Sequence, residues 1–257
     1  MIKLPWFQKK IGLALGGGVA RGLAHIGVLK VLKKNKIPID FISATSSGAV
    51  IGSLFAFGID PEYMEDIAKK KFFNIFTVSV SQINPFAEDE IVQLIEREIG
   101  KVNFDEANIP IVMVAQDIKT GERVVLKSGR VSRAVSASCA FPGIFTPKKI
   151  GGRTLIDGGG ADNLPVGLLE TDIRIAVDVI PSHSLKRDPD NPVRIMGRAI
   201  DLAIKKLTAP QREAADILIE PDISPDIWHT DFNKAAALIK AGEHAAEKKL
   251  AEIKRLL

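Results

Sequence analysis

Short, wholly apolar runs alternate along this chain with longer stretches whose apolar positions recur every three or four residues, and glycine-rich corners separate the two kinds. Ile11-Gly12-Leu13-Ala14-Leu15 is too short for a helix and has no polar side, so it predicts a buried strand; Gly16-Gly17-Gly18 ends it, and Val19-Ala20-Arg21-Gly22 opens a helix reaching Leu32. A second strand runs from beyond Pro38 through Phe41-Ile42-Ser43-Ala44-Thr45 and breaks at Ser46, after which a helix extends from Ser47 to near Gly58. Asp60-Pro61-Glu62 carries the cap and first-turn proline of a third helix, and Glu88 to Ile99 forms an amphipathic one closed by Gly100. Ile109 to Ala115 and Arg123 to Leu126 flank Thr120-Gly121-Glu122 as a hairpin. A short helix from Val131 to Ala137 precedes a loop broken by Pro142 and Gly143, and a further strand ends at Asp157. Ile173 to Ile180 is a strand stopped by Pro181, Pro192 to Leu207 a helix, Ala215 to Pro221 a last strand, and Phe232 to Leu257 a closing helix rich in Ala, Lys and Glu. This alternation predicts one α/β domain over residues 1–257, with an arm at 1–10 and a C-terminal helix at 232–257. Its architecture is a three-layer sandwich around a mainly parallel central sheet, whose sites lie at strand carboxyl ends.

Three of the corners carry chemistry. Ser46 stands where a strand turns sharply into a helix, a geometry that needs small neighbours and lifts the corner side chain above the sheet edge. Gly48 supplies one of them; Ala44 replaces the first glycine of the usual G-x-S-x-G pattern. The Ser47 amide then lies at a helix N-terminus, where partial positive charge can hold an oxyanion. Gly16, Gly17 and Gly18 let successive amides converge on an anion. A dinucleotide would want glycine where Arg21 stands and an acidic residue ending the second strand, whereas Asp40 precedes it. The competing use is an oxyanion hole facing Ser46, with Arg21 fixing the loop or steering a negative substrate. Asp157, followed by Gly158-Gly159-Gly160, can approach another backbone closely, either as a base serving Ser46 or as the start of an Asx turn. His25 reads as a packing histidine and Cys139 as a small buried hydrophobe.

Composition narrows the classes further. With 257 residues, 46% of them hydrophobic and 26% charged, the chain has ample material for a core. One cysteine excludes an internal disulfide framework and fits a reducing, cytoplasmic compartment. The net charge of +4 comes without aromatics interleaved in a basic stripe, which argues against nucleic acid and is compatible with phospholipid headgroups. Two stretches can meet a bilayer surface: Trp6-Phe7 beside Lys9 and Lys10, and Lys69-Lys70-Lys71 followed by Phe72 to Phe76, which can also line an acyl groove. A packed arm and an ordinary core helix end are the alternatives. The four histidines are scattered and show no metal-ligand spacing.

Together these elements resemble the patatin-like phospholipases, and most closely their bacterial single-domain branch. The glycine loop G-x-G-x-x-[RK]-G is matched by Gly16, Gly18, Arg21 and Gly22, the elbow by Ser46 and Gly48, and the Asp-Gly-Gly element by Asp157-Gly158-Gly159, continued by Asn163 and Pro165; the loop Ser138 to Pro142 is a fourth, weaker match. The resemblance implies a lipid acyl-ester hydrolase working through a Ser46–Asp157 dyad, with the oxyanion or substrate bound at Gly16, Gly17, Gly18, Arg21 and Ser47. It implies no metal or cofactor, a lipid or fatty-acyl ester substrate, contact with a membrane surface, no nucleic acid, and leaves a homo-oligomer open. Three rivals stand beside it. A conventional triad would run Ser46, Asp157, His183; an acyltransferase would share the nucleophile; a non-catalytic lipid-binding module would explain Ala44.

Overall fold

The computed structural model describes residues 9–69, 90–185 and 188–257, so Trp6-Phe7, Phe72 to Phe76 and Glu88 lie outside it. Among the described residues, strands β1 (Ile11–Leu15), β2 (Phe41–Thr45), β3 (Ile111–Asp117), β4 (Arg123–Leu126), β5 (Lys148–Ile150), β6 (Arg153–Asp157), β7 (Ile173–Val177) and β8 (Ile217–Ile219) form one sheet. Hydrogen-bonded neighbours follow the order β5-β6-β3-β2-β1-β7-β8, with β4 also on β3. The pairs β1–β2, β1–β7, β2–β3 and β7–β8 are parallel, while β3–β4, β3–β6 and β5–β6 are antiparallel. Helices α1 (Ala24–Lys34), α2 (Ser47–Ala56), α3 (Pro61–Ile67), α4 (Glu90–Ile99), α5 (Val131–Ser138), α6 (Gly159–Asp162), α7 (Pro192–Leu207), α8 (Ala209–Glu213) and α9 (Ala235–Leu256) complete a three-layer α/β fold. The predicted strands at 173–180 and 215–221 are shorter than expected, ending at Val177 and Ile219, and just beyond them the side chains of Asp178 and Glu220 hold Arg212. The two-residue reach between β5 and β6 is too brief to carry a periodic signal.

Strand parity divides the core. Ile11, Leu13 and Leu15 of β1 join the main cluster with Leu29, Leu54 and Leu238, whereas Ala14 faces a smaller one with Leu164, Val166 and Leu169. Each such fully buried aliphatic side chain contributes about 1.5–3 kcal/mol. On the second face the covering chain lies so close that a Cβ at Gly12 would meet Thr171 Oγ1 at 2.5 Å. Ser43 and Thr45 of β2 point the same way and donate to the carbonyls of Pro165 and Asp162, both at 2.8 Å. These bonds tie the loop after β6 to the end of β2.

Helices α1 and α9 approach almost backbone to backbone. A Cβ on Gly27 would lie 1.9 Å from the Ile239 carbonyl oxygen, and one on Gly242 would lie 1.9 Å from that of Ala24. Two small residues thus notch the pair together from both sides.

The register of β3 decides where the chemistry sits. β2 pairs with Ile111 to Val114, β6 with Ala115 to Asp117, and β4 with Met113 to Gln116. A strand residue has only two edges, so β4 takes one and β2 and β6 must share the other end to end. The carboxyl ends of β2 and β6 therefore meet head-on beside Val114 and Ala115.

Candidate active site

Ser46 follows β2 at that meeting point, and Asp157 ends β6. Ser46 is the N-cap of α2 with φ 55° and ψ −123°, a left-handed conformation that costs a side-chain-bearing residue about 1–3 kcal/mol. Its amide donates to Ser138 Oγ at 2.8 Å, and the Ser138 hydroxyl donates to the Val114 carbonyl at 2.6 Å. The fully buried Ser138, at the end of α5, thereby pins the strained corner to β3. Gly48 is required here because a Cβ would stand 2.2 Å from the Leu15 carbonyl oxygen. Ala44, by contrast, is an ordinary residue of β2 opposite Leu15 and Met113, its methyl buried in the core. The departure from the first elbow glycine is accommodated without strain, which removes the feature that kept the non-catalytic rival alive.

Asp157 is buried, its amide donates to Ala140, and its Oδ1 accepts from the Gly159 amide at 2.8 Å. Oδ2 has no fully formed hydrogen bond. Burial pushes the carboxyl up to about 6, opposed by the nearby Ser46 hydroxyl and the Gly159 amide. An unsatisfied, desolvated carboxylate oxygen beside a strained serine is an arrangement able to take a proton.

The glycine loop is built differently from expectation. The Gly16 amide donates to Val177 and the Gly17 amide to the Asn163 carbonyl, at 3.1 and 3.2 Å, so neither is open to an oxyanion. Asn163 returns the bond from Nδ2 to the Gly17 carbonyl at 3.2 Å, clasping the loop. Among the described residues the amides of Gly18 and Ser47 have no carbonyl partner, and these remain the candidate donors. His25 is buried with Nε2 donating to the Gly16 carbonyl at 2.7 Å; burial lowers it to about 4 and keeps it neutral. Asp40 accepts from the Ile11 amide at the far end of β1, away from the loop, which disposes of the dinucleotide reading.

Arg21 is likewise committed within the protein: Nη2 pairs with Asp201 Oδ2 of α7 at 2.8 Å and lies 3.2 Å from His229 Nε2, while Nε and Nη1 are buried without partners. His229 Nε2 also bonds Asp201 Oδ1 at 3.0 Å. Burial alone would raise the Asp201 carboxyl, but His229 and Arg21 outweigh it and hold it below the usual carboxylate range. His183 is exposed, 4.0 Å from Asp222, and stands outside the cavities that Ser46 lines. The histidine that shares a chamber with Ser46 and Asp157 is His229, which the sequence did not signal because its partners lie 28 and 208 residues away.

Ser46 lies between two hollows. One is lined almost wholly by apolar side chains, including Val19, Leu23, Val50, Ile51, Phe141 and Ile144. The other is more polar and holds Asp157, Asn163, Asp201 and His229. Ser46 thus has an apolar slot on one side and hydrogen-bonding groups on the other. Among the described residues no group of three or more His, Cys, Asp or Glu could hold a metal ion, and no helix is long and apolar enough to cross a membrane.

Residues 13–169 match the sequence model of a family described as patatin-like phospholipase. An uncharacterized NTE family protein of Mycobacterium tuberculosis is 30% identical over 270 residues, covering 93% of this chain and 46% of its own length. Lysophospholipase NTE1 of Pyricularia oryzae is 32% identical over 181 residues, 66% of this chain and 12% of that protein. The chain spans about half the length of the mycobacterial relatives it matches. In structure it superposes on ExoU of the ExoU-SpcU complex of Pseudomonas aeruginosa with a TM-score of 0.55 at 14% identity, over 95% of this chain and 51% of that one. That likeness is one of fold.

Proposed function

The chain belongs to the patatin-like phospholipase family, and from that premise we propose that it is a serine hydrolase of lipid acyl esters working through a Ser46–Asp157 dyad. The observation that carries the proposal is the free Oδ2 of Asp157 beside the strained Ser46 corner. Ser46 Oγ attacks the ester carbonyl carbon while its proton passes to Asp157 Oδ2. The amides of Gly18 and Ser47 hold the oxyanion, and the proton moves on to the leaving alcohol as the tetrahedral species collapses. A water molecule, deprotonated by the same carboxylate, then hydrolyses the acyl-serine. The apolar hollow suits an acyl chain, and the fungal relative's name supports a lysophospholipid substrate.

Release assays over short-chain esters, lysophospholipids and diacyl phospholipids test this directly, together with fluorophosphonate labelling. The expected result is ester cleavage and a label on Ser46; an unlabelled Ser46 with no cleavage of any of the three would sink it. An acyltransferase would instead deliver the acyl group to an added alcohol in preference to water.

The pH profile is a sharper check on the base. Asp157 acts only when ionised, and its carboxyl sits at about 6, so kcat/KM for a neutral ester should rise through pH 6 and level off above it. A rate unchanged between pH 5 and pH 7 would exclude this carboxylate as the base.

A conventional triad of Ser46, His229 and Asp201 is the second reading, favoured by the Asp201–His229 bond in the shared chamber. Against it, the Arg21 guanidinium lies within 3.4 Å of both ring nitrogens and pairs with the same Asp201 carboxylate, so His229 is committed to partners within the protein. His229→Ala should therefore leave kcat within about tenfold of the parent, whereas a triad requires a loss of roughly a thousandfold or more.

A further inference from the structure

The outward face of α7 is inverted in polarity relative to ordinary surface helices. Of the large apolar side chains exposed in the described structure, Ile195, Met196, Leu202 and Leu207 all belong to this one helix, each about half exposed. At 100° per residue, positions 195, 199, 202 and 206 follow one another along a line facing solvent, while Ile200, Asp201 and Ile204 turn inward over the chamber that holds Ser46 and Asp157. Arg194, Arg198 and Lys205 line one long edge of the stripe and Lys206 sits within it. The helix's single carboxylate, Asp201, is buried against Arg21. Arg194 is engaged with Asp190 and lies over Trp228, and Lys205 donates to Ser182, but among the described residues Arg198 and Lys206 have no anionic partner.

We propose that α7 is an interfacial helix that docks this protein on an anionic phospholipid surface, with Ile195, Met196 and Leu202 entering the apolar boundary and Arg198 and Lys206 meeting headgroup phosphates. An exposed apolar stripe that carries the cations Arg198 and Lys206, unpaired among the described residues, is complementary to a negatively charged lipid leaflet. The same surface is a poor match for a second copy of the chain, because a two-fold contact would set Arg198 and Lys206 against one another. Docking through α7 places the polar hollow beside Ser46 beneath the lipid plane, since Ile200, Asp201 and Ile204 on the inner side of this helix line it. The stretches singled out from sequence as membrane contacts are elsewhere in the chain; the patch on α7 went unmarked because a helix with this pattern is read as having its apolar stripe turned inward.

Flotation with phosphatidylcholine vesicles, with and without phosphatidylglycerol, tests the proposal on the full chain carrying Ser46→Ala, so that binding is read apart from turnover and fails separately from the hydrolase assignment. Binding to the anionic vesicles is expected, falling with added salt, and at least about tenfold weaker on the neutral ones. Arg198→Glu with Lys206→Glu, and Ile195→Asp with Leu202→Asp, should each weaken anionic binding by about tenfold or more. With Ser46 intact, the Ile195→Asp, Leu202→Asp protein should still cleave a soluble short-chain ester within about twofold of the parent, which verifies its fold. Absence of vesicle binding by the parent, undiminished binding by either pair of variants, or a dimer in solution that the Ile195→Asp, Leu202→Asp pair dissolves would each overturn the proposal.

Discussion

Asp157→Asn is expected to lower kcat on a soluble ester by about a thousandfold while making the folded protein more stable at pH 8. The two effects share one cause. The native state holds the Asp157 carboxyl at about 6 against an ordinary 3.8, so the folded protein binds this proton more tightly than the unfolded chain does. Between those values the unfolded state carries fewer protons, and the stability contributed by this group falls as pH rises from about 4 through about 6. Above pH 6 the accumulated cost of an ionised, buried carboxylate is about 3 kcal/mol, which asparagine removes while keeping an oxygen for the Gly159 amide. Urea midpoints of parent and variant should therefore separate at pH 8 and converge toward pH 4. His25 opposes the trend, since burial keeps it neutral and folding stability drops as acid charges it, but both proteins share that histidine and it cancels in the difference. A variant that stayed active would show that Asp157 is not the base, and one that gained nothing at pH 8 would show that it is not desolvated.

The largest loss of stability should come from Gly27→Val or Gly242→Val, far from the reacting groups. A side chain at either position would begin 1.9 Å from a carbonyl oxygen of the facing helix, a contact that no rotamer relieves, so α1 and α9 must separate along their length. The expected cost is about 4 kcal/mol or more, at the extreme of what single substitutions do. Activity should fall with the folded fraction, because α1 continues the 3-10 turn Val19–Leu23 that follows the glycine loop and carries the His25 that holds Gly16. Gly167→Ala is the control: a Cβ there meets nothing within 4 Å, and its midpoint should stay within about 0.5 kcal/mol of the parent.

What could be read from the chain beforehand was whatever local stereochemistry dictates. A strand breaking at Ser46 before Gly48 announces a strained turn, and Gly158 beneath the Val114 carbonyl announces close approach, because such positions tolerate few residue types. The partners that finish the site gave no such signal. Asn163 clasps Gly17 across 146 positions, Ser138 pins Ser46 across 92, and Arg21 meets Asp201 across 180. Asn, Ser and Asp at those positions are compatible with many turns and caps, so their roles emerge only from the assembled fold. The same limit explains the two corrections. Three consecutive glycines suggest three open amides, yet two are consumed by neighbouring carbonyls, and His183 is exposed beyond the buried residues that end its strand.

The abutment of β2 and β6 along a single edge of β3 acts as a gauge. The ends of β2 and β6 are spaced by the step from Val114 to Ala115, about 3.3 Å of extended chain. That spacing does not depend on how the 110 residues between Ser46 and Asp157 are routed. Excursions inserted before β3 or between β4 and β5 can lengthen freely without altering that interval, so the covering over the site is open to evolutionary change while its reactive spacing stays fixed.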